Sequence, residues 1–149
     1  MSSSLAVSNE FIKLARQEDN VDLTGRKLQK LVYISHGFNL AVYGKPLLNR
    51  EDIYAWEYGP VVKVLHNRLR SYSQCKINEL LLAPDQADSK EMDLIKAVWD
   101  GYGHHSPITL SSINHEINKP WLLTWRDTPF GIISNHLIQA HYRNILKAA

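Results

Sequence analysis

Residues 24–46 have the sequence TGRKLQKLVYISHGFNLAVYGKP, which contains the longest predicted helix of the chain. Apolar side chains recur in it at helical spacing, from Leu28 to Val42. Thr24 is a residue type that caps helix starts. Gly44 and Pro46 form a stop signal, because glycine accepts the left-handed cap conformation and proline cannot continue a helix. The stretch therefore predicts a helix over residues 25–43 and a mainly helical fold.

Shorter helical patterns lie on both sides of this segment. Asp88 and Glu91 have the spacing of a capping box, and the helix that follows should turn Met92, Ile95, Val98 and Trp99 inward. We predict that the remaining helices begin after Ser8, at Pro60 (ending near Tyr72), at Ser106-Pro107 (running to His115), at Trp121 (ending near Asp127) and after Ser134.

Two short strands are predicted between the second and third helices. They comprise Leu47-Leu48 and residues 53–56, joined by a turn at 49–52 and ended by Gly59-Pro60. Residues 77–82 fit either a third strand or a helix. The expected fold class is mainly α (α+β): a compact bundle of about six helices with a small antiparallel β-hairpin near residues 47–58. We expect a single domain over residues 1–149, with its core at about 8–146.

Composition and charge exclude several classes of protein. With 44% hydrophobic and 21% charged residues among 149, the chain has the make-up of an ordinary globular domain. Its 17 Lys and Arg against 15 Asp and Glu give a net charge of +2, too small for a duplex-binding face, so we expect no specific nucleic-acid partner. No apolar run approaches the ~20 residues of a membrane span, and the start lacks a signal-peptide pattern. A single cysteine, Cys75, agrees with a cytoplasmic location.

Catalytic signatures are not found in the sequence. Phosphate-binding loops, the nucleophile elbow and the dinucleotide fingerprint are missing, and His115-Glu116 is followed by Lys119 where a zinc protease needs histidine. We therefore expect no enzyme activity, no catalytic residues, no cofactor and no metal site. One alternative remains open: a small enzyme that uses Glu57 or His115 in a pocket covered by Trp56, with Glu57 or Glu116 as a candidate general base.

Aromatic and basic residues are the other candidates for a functional role. Aromatic rings dominate both cores and protein–protein hot spots. We expect the rings of Trp56, Tyr58, Trp121 and Trp125 to be core residues, with partner anchors as the alternative. A basic run on the second helix lies away from its apolar positions, and we interpret it as a solvated face with the alternative of contacts to an acidic partner or to nucleic acid. The possible partner contacts are Arg26, Lys27, Lys30 and Trp125.

Several motifs together resemble the Panacea domain family of SocA- and GepA-like proteins. The motifs are LQKLVY at 28–33, HGF at 36–38, YGKPL at 43–47, AWEYGPV at 55–61, Tyr102-Gly103, Leu110-Ser111, His115, Pro120-Trp121 and Ile133-Ser134 with a helix reaching Tyr142. The resemblance spans roughly residues 8–146. The chain departs from the family pattern at Phe38, where tryptophan is usual, at Asn114, where threonine is common, and at 116–119, which lengthen the link to Pro120.

This resemblance implies an antitoxin that neutralises a cognate protein toxin by direct contact. One founding member of the family is an adaptor, so delivery of the toxin to a AAA+ protease is an alternative. Many members occur in phages and mobile elements, and no catalytic residues are known for the family. The family motif residues form either the scaffold, which we favour, or the partner surface: Tyr33, Trp56, Glu57, Tyr58, Gly59, Pro60, His115, Pro120 and Trp121.

Overall fold

The computed structural model describes residues 1–19, 21–72, 74–105 and 119–148 of the chain. This part of the chain contains six α-helices and a two-stranded antiparallel sheet, so the predicted fold class is confirmed. The helices are α1 (Ser4–Arg16), α2 (Gly25–Tyr43), α3 (Lys63–Leu69), α4 (Ser89–Val98), α5 (Lys119–Asp127) and α6 (Asn135–Ala148). The strands are β1 (Ile53–Trp56) and β2 (Gly59–Val62). A 3-10 turn at Arg70–Tyr72 extends α3, and a π-helical turn at Trp99–Gly103 extends α4.

Helix α2 is the central element, and its predicted bounds are confirmed. The Thr24 hydroxyl accepts a hydrogen bond from the Lys27 amide at 3.3 Å, and Gly44 ends the helix in the left-handed conformation, with φ 72°. Helix α2 contacts α1, α3, α4, α6 and β2. Its inward side chains are therefore fully enclosed in the core; they include Leu28, Leu31, Val32 and Ile34.

Helix α4 begins at the predicted capping box. Asp88 Oδ1 accepts from the Glu91 amide at 2.8 Å, and Glu91 Oε1 accepts from the Asp88 amide at 2.9 Å. Ile95, Val98 and Trp99 are buried as predicted, whereas Met92 is 37% exposed. The inward prediction is wrong for Met92 because the buried Glu91 faces the core side and accepts a hydrogen bond from Ser2 Oγ at 2.7 Å, which turns Met92 outward by about 100°.

Helix α1 begins at Ser4, five residues before the predicted start after Ser8. Ser3 is the N-cap, and its hydroxyl accepts from the Ala6 amide at 3.0 Å. The amide and hydroxyl of Ser3 both donate to Asp85, and those of Ser4 both donate to Glu51. The helix start was mispredicted because these two carboxylates come from distant parts of the chain, so local sequence carries no sign of them.

The hairpin lies at residues 53–62 and not at 47–58. Its register pairs Ile53 with Val62 and Trp56 with Gly59, so Gly59 and Pro60 lie in a strand and do not start a helix. The Val62 amide donates to Gln29 Oε1 at 3.0 Å, and Gln29 Nε2 donates to the Val62 carbonyl at 2.9 Å. Gln29 thus satisfies both backbone groups of Val62 at the outer edge of the hairpin. Proline is tolerated at position 60 because it has no N–H that would need a partner at this edge.

The two other predicted strand segments are irregular. Leu48 forms only a parallel bridge with Ser2. In residues 77–82, the amide and carbonyl of Leu81 pair with the Asn9 side chain and not with another strand. The second edge of β1 is instead covered by residues 130–133, through the Ala55 amide to the Gly131 carbonyl and the Ile133 amide to the Ile53 carbonyl, each at 2.8 Å.

The last two helices follow the sequence patterns closely. Helix α5 extends the predicted turns at 121–127 by two residues, and Ser134 Oγ accepts from the amides of His136 and Leu137 at the start of α6. The helix predicted from Ser106 to His115 lies outside the described residues. Among the described helices, none has both the length and the apolar character that a membrane crossing requires.

Candidate partner-binding site

Hydrogen bonds join three separate family motifs around the hairpin. Gln29 of the first motif holds both backbone groups of Val62, directly after the AWEYGPV motif. The indole N–H of Trp121 donates to the carbonyl of Trp56 at 2.6 Å. The motifs at 28–33, 55–61 and 120–121 therefore meet at one place in the fold.

Some of the motif residues are buried in the core or allow an unusual backbone conformation. Tyr33 is 1% exposed, and its ring meets Tyr142 edge-on at 6.1 Å; this burial raises the pKa of the Tyr33 hydroxyl. Pro120 is buried at the start of α5. Gly59 has φ 140°, a conformation that side-chain-bearing residues rarely adopt. The burial and backbone geometry of these three positions favour a scaffold role.

Other motif residues face outward. Strand β1 alternates, with Ile53 and Ala55 buried while Tyr54 and Trp56 lie on the outer face. Trp56 is half-buried, with its ring edge-on to His66 at 4.8 Å, so the expectation that it is a core residue is wrong. Glu57 and Tyr58, at the tip of the hairpin, are exposed, so the core expectation is wrong for Tyr58 as well, because the turn carries its ring away from the core.

A cluster of large side chains lies at the outer side of the hairpin, and we call it the aromatic face. Its members are Tyr54, Trp56, Trp121, Trp125, Phe130 and Ile132. Tyr54 lies opposite Ile132 in an antiparallel bridge, so the two side chains share one side of the sheet. Trp121 and Trp125 are half-buried and pack against the core on their inner side. Their rings are nearly parallel, with centroids 6.3 Å apart, and Trp125 meets Phe130 edge-on at 5.1 Å. Phe130 and Ile132 remain 59% and 53% exposed.

Tyr54, Phe130 and Ile132 are the three members of this face that sequence reasoning missed. Phe130 has φ 63°, a left-handed conformation that is an outlier for a bulky side chain. The available signal was the tripeptide Pro129-Phe130-Gly131, which is typical of a turn and places an aromatic ring where turns usually carry polar residues.

The basic run on α2 is only partly the solvated face that was expected. Arg26 is exposed and Lys30 is partly buried, but Lys27 is only 5% exposed, and its Nζ lies 5.9 Å from the centre of the Trp99 ring. Desolvation lowers the pKa of Lys27 against the opposing effect of nearby Asp22 and Glu18. The solvated-face interpretation is therefore wrong for Lys27, because Trp99 covers the side chain from the α4 side.

Of the residues of the enzyme alternative, the structure describes Glu57 and Trp56. Glu57 lies exposed at the hairpin tip, and His115 falls outside the described residues. His36 is the buried histidine that sequence reasoning did not single out: its Nδ1 accepts from the Leu48 amide at 3.3 Å, and its Nε2 lies 2.8 Å from Asn135 Oδ1. Burial lowers the pKa of His36, which suits a neutral ring linking α2 to the start of α6.

Comparison with known families gives one match. Residues 28–122, well over half of the chain, match the family model described as antitoxin SocA-like, Panacea domain. The matched range includes α2, the hairpin and the start of α5, which are the elements that the three motifs join. Comparisons with curated proteins and with solved structures gave no match. The chain belongs to the SocA-like antitoxin family, and its matched region is a Panacea domain.

Proposed function

We propose that this protein neutralises a cognate protein toxin by binding it directly through the aromatic face. Membership of an antitoxin family supports a toxin as the partner. The aromatic face supports direct binding, because rings of Trp and Tyr are the side chains most enriched among interface hot spots.

The observation that carries this proposal is the conformation of Phe130. A bulky residue at φ 63° costs of order 1–3 kcal/mol. The turn is held by two hydrogen bonds of 2.9 Å, from the Phe130 amide to the Ala55 carbonyl and from the Gly131 amide to the Thr128 carbonyl. Because the ring stays 59% exposed, burial in the free protein returns little of that cost. Contact with a partner would bury the ring and supply the missing benefit.

The surroundings of the face have the character of an interface rim. Lys63 Nζ lies 5.7 Å from the centre of the Tyr54 ring, and Arg126 and Asp127 are exposed at the end of α5. Protein interfaces typically combine an apolar, aromatic centre with such a polar margin. A stable complex buries at least about 1,000 Å² in total, so these rim residues belong to the proposed contact area.

Co-expression with the toxin tests the proposal. The candidate toxin for this test is a growth-inhibiting protein encoded beside the gene. The variant Trp125→Ala/Phe130→Gly removes two rings of the face, the half-buried ring of Trp125 and the exposed ring of Phe130. We expect wild type to restore growth and to co-purify with the toxin, and the double variant to lose both while remaining folded. Leu80→Ala/Leu82→Ala is the matched control, since these side chains are 45% and 84% exposed on another surface. Full protection by the face variant would contradict the proposal.

Two further measurements separate binding from the alternative mechanisms. Protection that persists in a host lacking its AAA+ proteases favours occupancy over delivery to a protease. Titration of purified protein should reach full protection near one antitoxin per toxin, with no product formed. Protection at far lower ratios that disappears in Glu57→Gln/His115→Ala, with the fold intact, would instead favour an enzyme.

A further inference from the structure

We propose that the hairpin tip, Glu57 and Tyr58, is an anchor that inserts into an apolar, cation-rimmed pocket of the toxin. This inference rests on the proposed function and specifies the chemistry of the partner surface. It concerns the two residues between the strands, which lie beyond the aromatic face itself.

The fold does not require particular side chains at the two tip positions. Trp56 pairs with Gly59, so Glu57 and Tyr58 alone form the turn. Neither residue has a positive φ, and the unusual backbone conformation falls on Gly59, with φ 140°. The hairpin therefore depends on glycine at position 59, whereas many residue types would satisfy positions 57 and 58.

Tyr58 is nevertheless a large aromatic residue, and it is 89% exposed. The neighbouring Trp56 packs against His66, but the Tyr58 ring gains almost no burial from folding. A tyrosine ring that becomes covered buries roughly 150–250 Å² and loses few rotamers, which is why such rings serve as anchors at interfaces. The tip thus holds an anchor whose burial requires a second molecule.

The charge of the tip indicates what the pocket must contain. Glu57 is the single charged residue of the segment 53–62, and it takes part in none of the ion pairs found among the described residues. An exposed carboxylate beside an exposed ring is complementary to an arginine or lysine at the rim of an apolar cavity. Arginine suits both groups, since its guanidinium pairs with a carboxylate and stacks on an aromatic face.

Insertion of side chains also fits the closed edge of the hairpin better than strand addition does. A partner strand would need free backbone groups on the outer edge of β2. The amide and carbonyl of Val62 are both occupied by Gln29, and Pro60 has no N–H to offer. This edge offers a partner strand no free N–H at Pro60 or Val62, which favours recognition through the protruding side chains.

Binding of purified toxin to tip variants tests the inference. We expect Tyr58→Ala to weaken binding by at least about 30-fold, the loss that marks a hot-spot residue, and Tyr58→Phe to stay within about threefold of wild type. Glu57→Lys should weaken binding strongly, because it places like charges together. Glu57→Gln should make binding less dependent on salt concentration, because an ion pair is lost. Leu82→Ala removes an equally exposed apolar side chain elsewhere and should bind like wild type.

The outcomes distinguish this inference from the function on which it rests. If Tyr58→Ala and Glu57→Lys bind within about twofold of wild type while Trp125→Ala/Phe130→Gly does not bind, the anchor is wrong and the proposed function stands. If wild type itself fails to bind the toxin that it neutralises, both are overturned. A p-benzoylphenylalanine at position 58 should cross-link to the toxin at a cavity carrying Arg or Lys, and cross-links to a flat or acidic surface would contradict the anchor.

Discussion

Two aromatic clusters of this protein have similar residue types and opposite surroundings. The first, which we call the tyrosine core, consists of Tyr33, Gly37, Phe38 and Tyr142 between α2 and α6. The Tyr142 ring lies 6.1 Å from that of Tyr33 and 4.9 Å from that of Phe38, and Tyr142 is fully buried. The aromatic face, by contrast, leaves Phe130 59% exposed.

The difference between the clusters comes from glycine placement and backbone conformation more than from the rings. In the tyrosine core, Gly37 lets the Tyr142 ring approach so closely that a Cβ at position 37 would lie 2.4 Å from it. In the aromatic face, Phe130 itself takes a conformation that suits glycine. In the tyrosine core, glycine allows closer packing of the rings. In the aromatic face, an exposed ring lies on a strained backbone, and such strain is typical of functional surfaces.

The largest expected effect tests the tyrosine core. Tyr142→Ala should lower the free energy of unfolding by about 3–5 kcal/mol, the usual loss for a fully buried aromatic side chain. Tyr142→Phe is the control and should keep or slightly raise stability, because the buried hydroxyl has no hydrogen-bond partner among the described residues. Urea unfolding of both variants measures this, and a strongly destabilised Tyr142→Phe would reveal a polar role for that hydroxyl.

Gly37→Ala should lower stability by about 1–3 kcal/mol, because the added methyl group overlaps the Tyr142 ring. The sign of the change in unfolding free energy is informative, because replacing glycine by alanine in a helix interior usually stabilises the helix by about 1 kcal/mol. Gly101→Ala is the matched control, as a Cβ there meets nothing within 4 Å. A stabilising Gly37→Ala, measured by the same unfolding method, would show that the two helices do not pack so tightly.

Trp56→Ala should cost about 2 kcal/mol, less than the loss for a fully buried tryptophan, because the side chain packs against His66 but is not fully enclosed. His66→Ala should remove part of the same contact and so add little to the Trp56 variant. If thermal or urea unfolding shows a loss of 3–5 kcal/mol for Trp56→Ala, the residue belongs to the core after all.

The smallest expected effect is a comparison at position 130. Phe130→Gly and Phe130→Ala remove the same ring, but only glycine relieves the positive φ, so the glycine variant should be more stable by about 1 kcal/mol. Equal stability of the two variants would mean that the Phe130 backbone is unstrained. The strain argument for the aromatic face would then be lost.

Most of the fold could be predicted wherever its determinants lie close together in the sequence. Both ends of α2 and the start of α4 were predicted correctly, because Thr24, Gly44 and the Asp88–Glu91 box are local signals. The start of α1 and the second strand were not, because they depend on distant partners. Asp85 and Glu51 hold the serines of α1, and Gln29 closes the edge that admits Pro60.

The site was predictable to a smaller extent. The motif residues around Trp56 and Trp121 and the contact candidate Trp125 were recognised from their sequence context, but their exposure was not. Lys27 is buried because the Trp99 ring packs over it in the folded chain. Phe130 is distinguished from the other rings by its left-handed backbone conformation. Burial and strain are tertiary properties, so a pattern of residue types cannot supply them.

The central claim is that the aromatic face binds the toxin, and calorimetric titration of the toxin with wild type and with Phe130→Gly tests it most directly. The account predicts a one-to-one complex for wild type and binding at least about 30-fold weaker for Phe130→Gly, although that variant is as well folded as wild type. Equal affinity of the two proteins for the toxin would contradict the account.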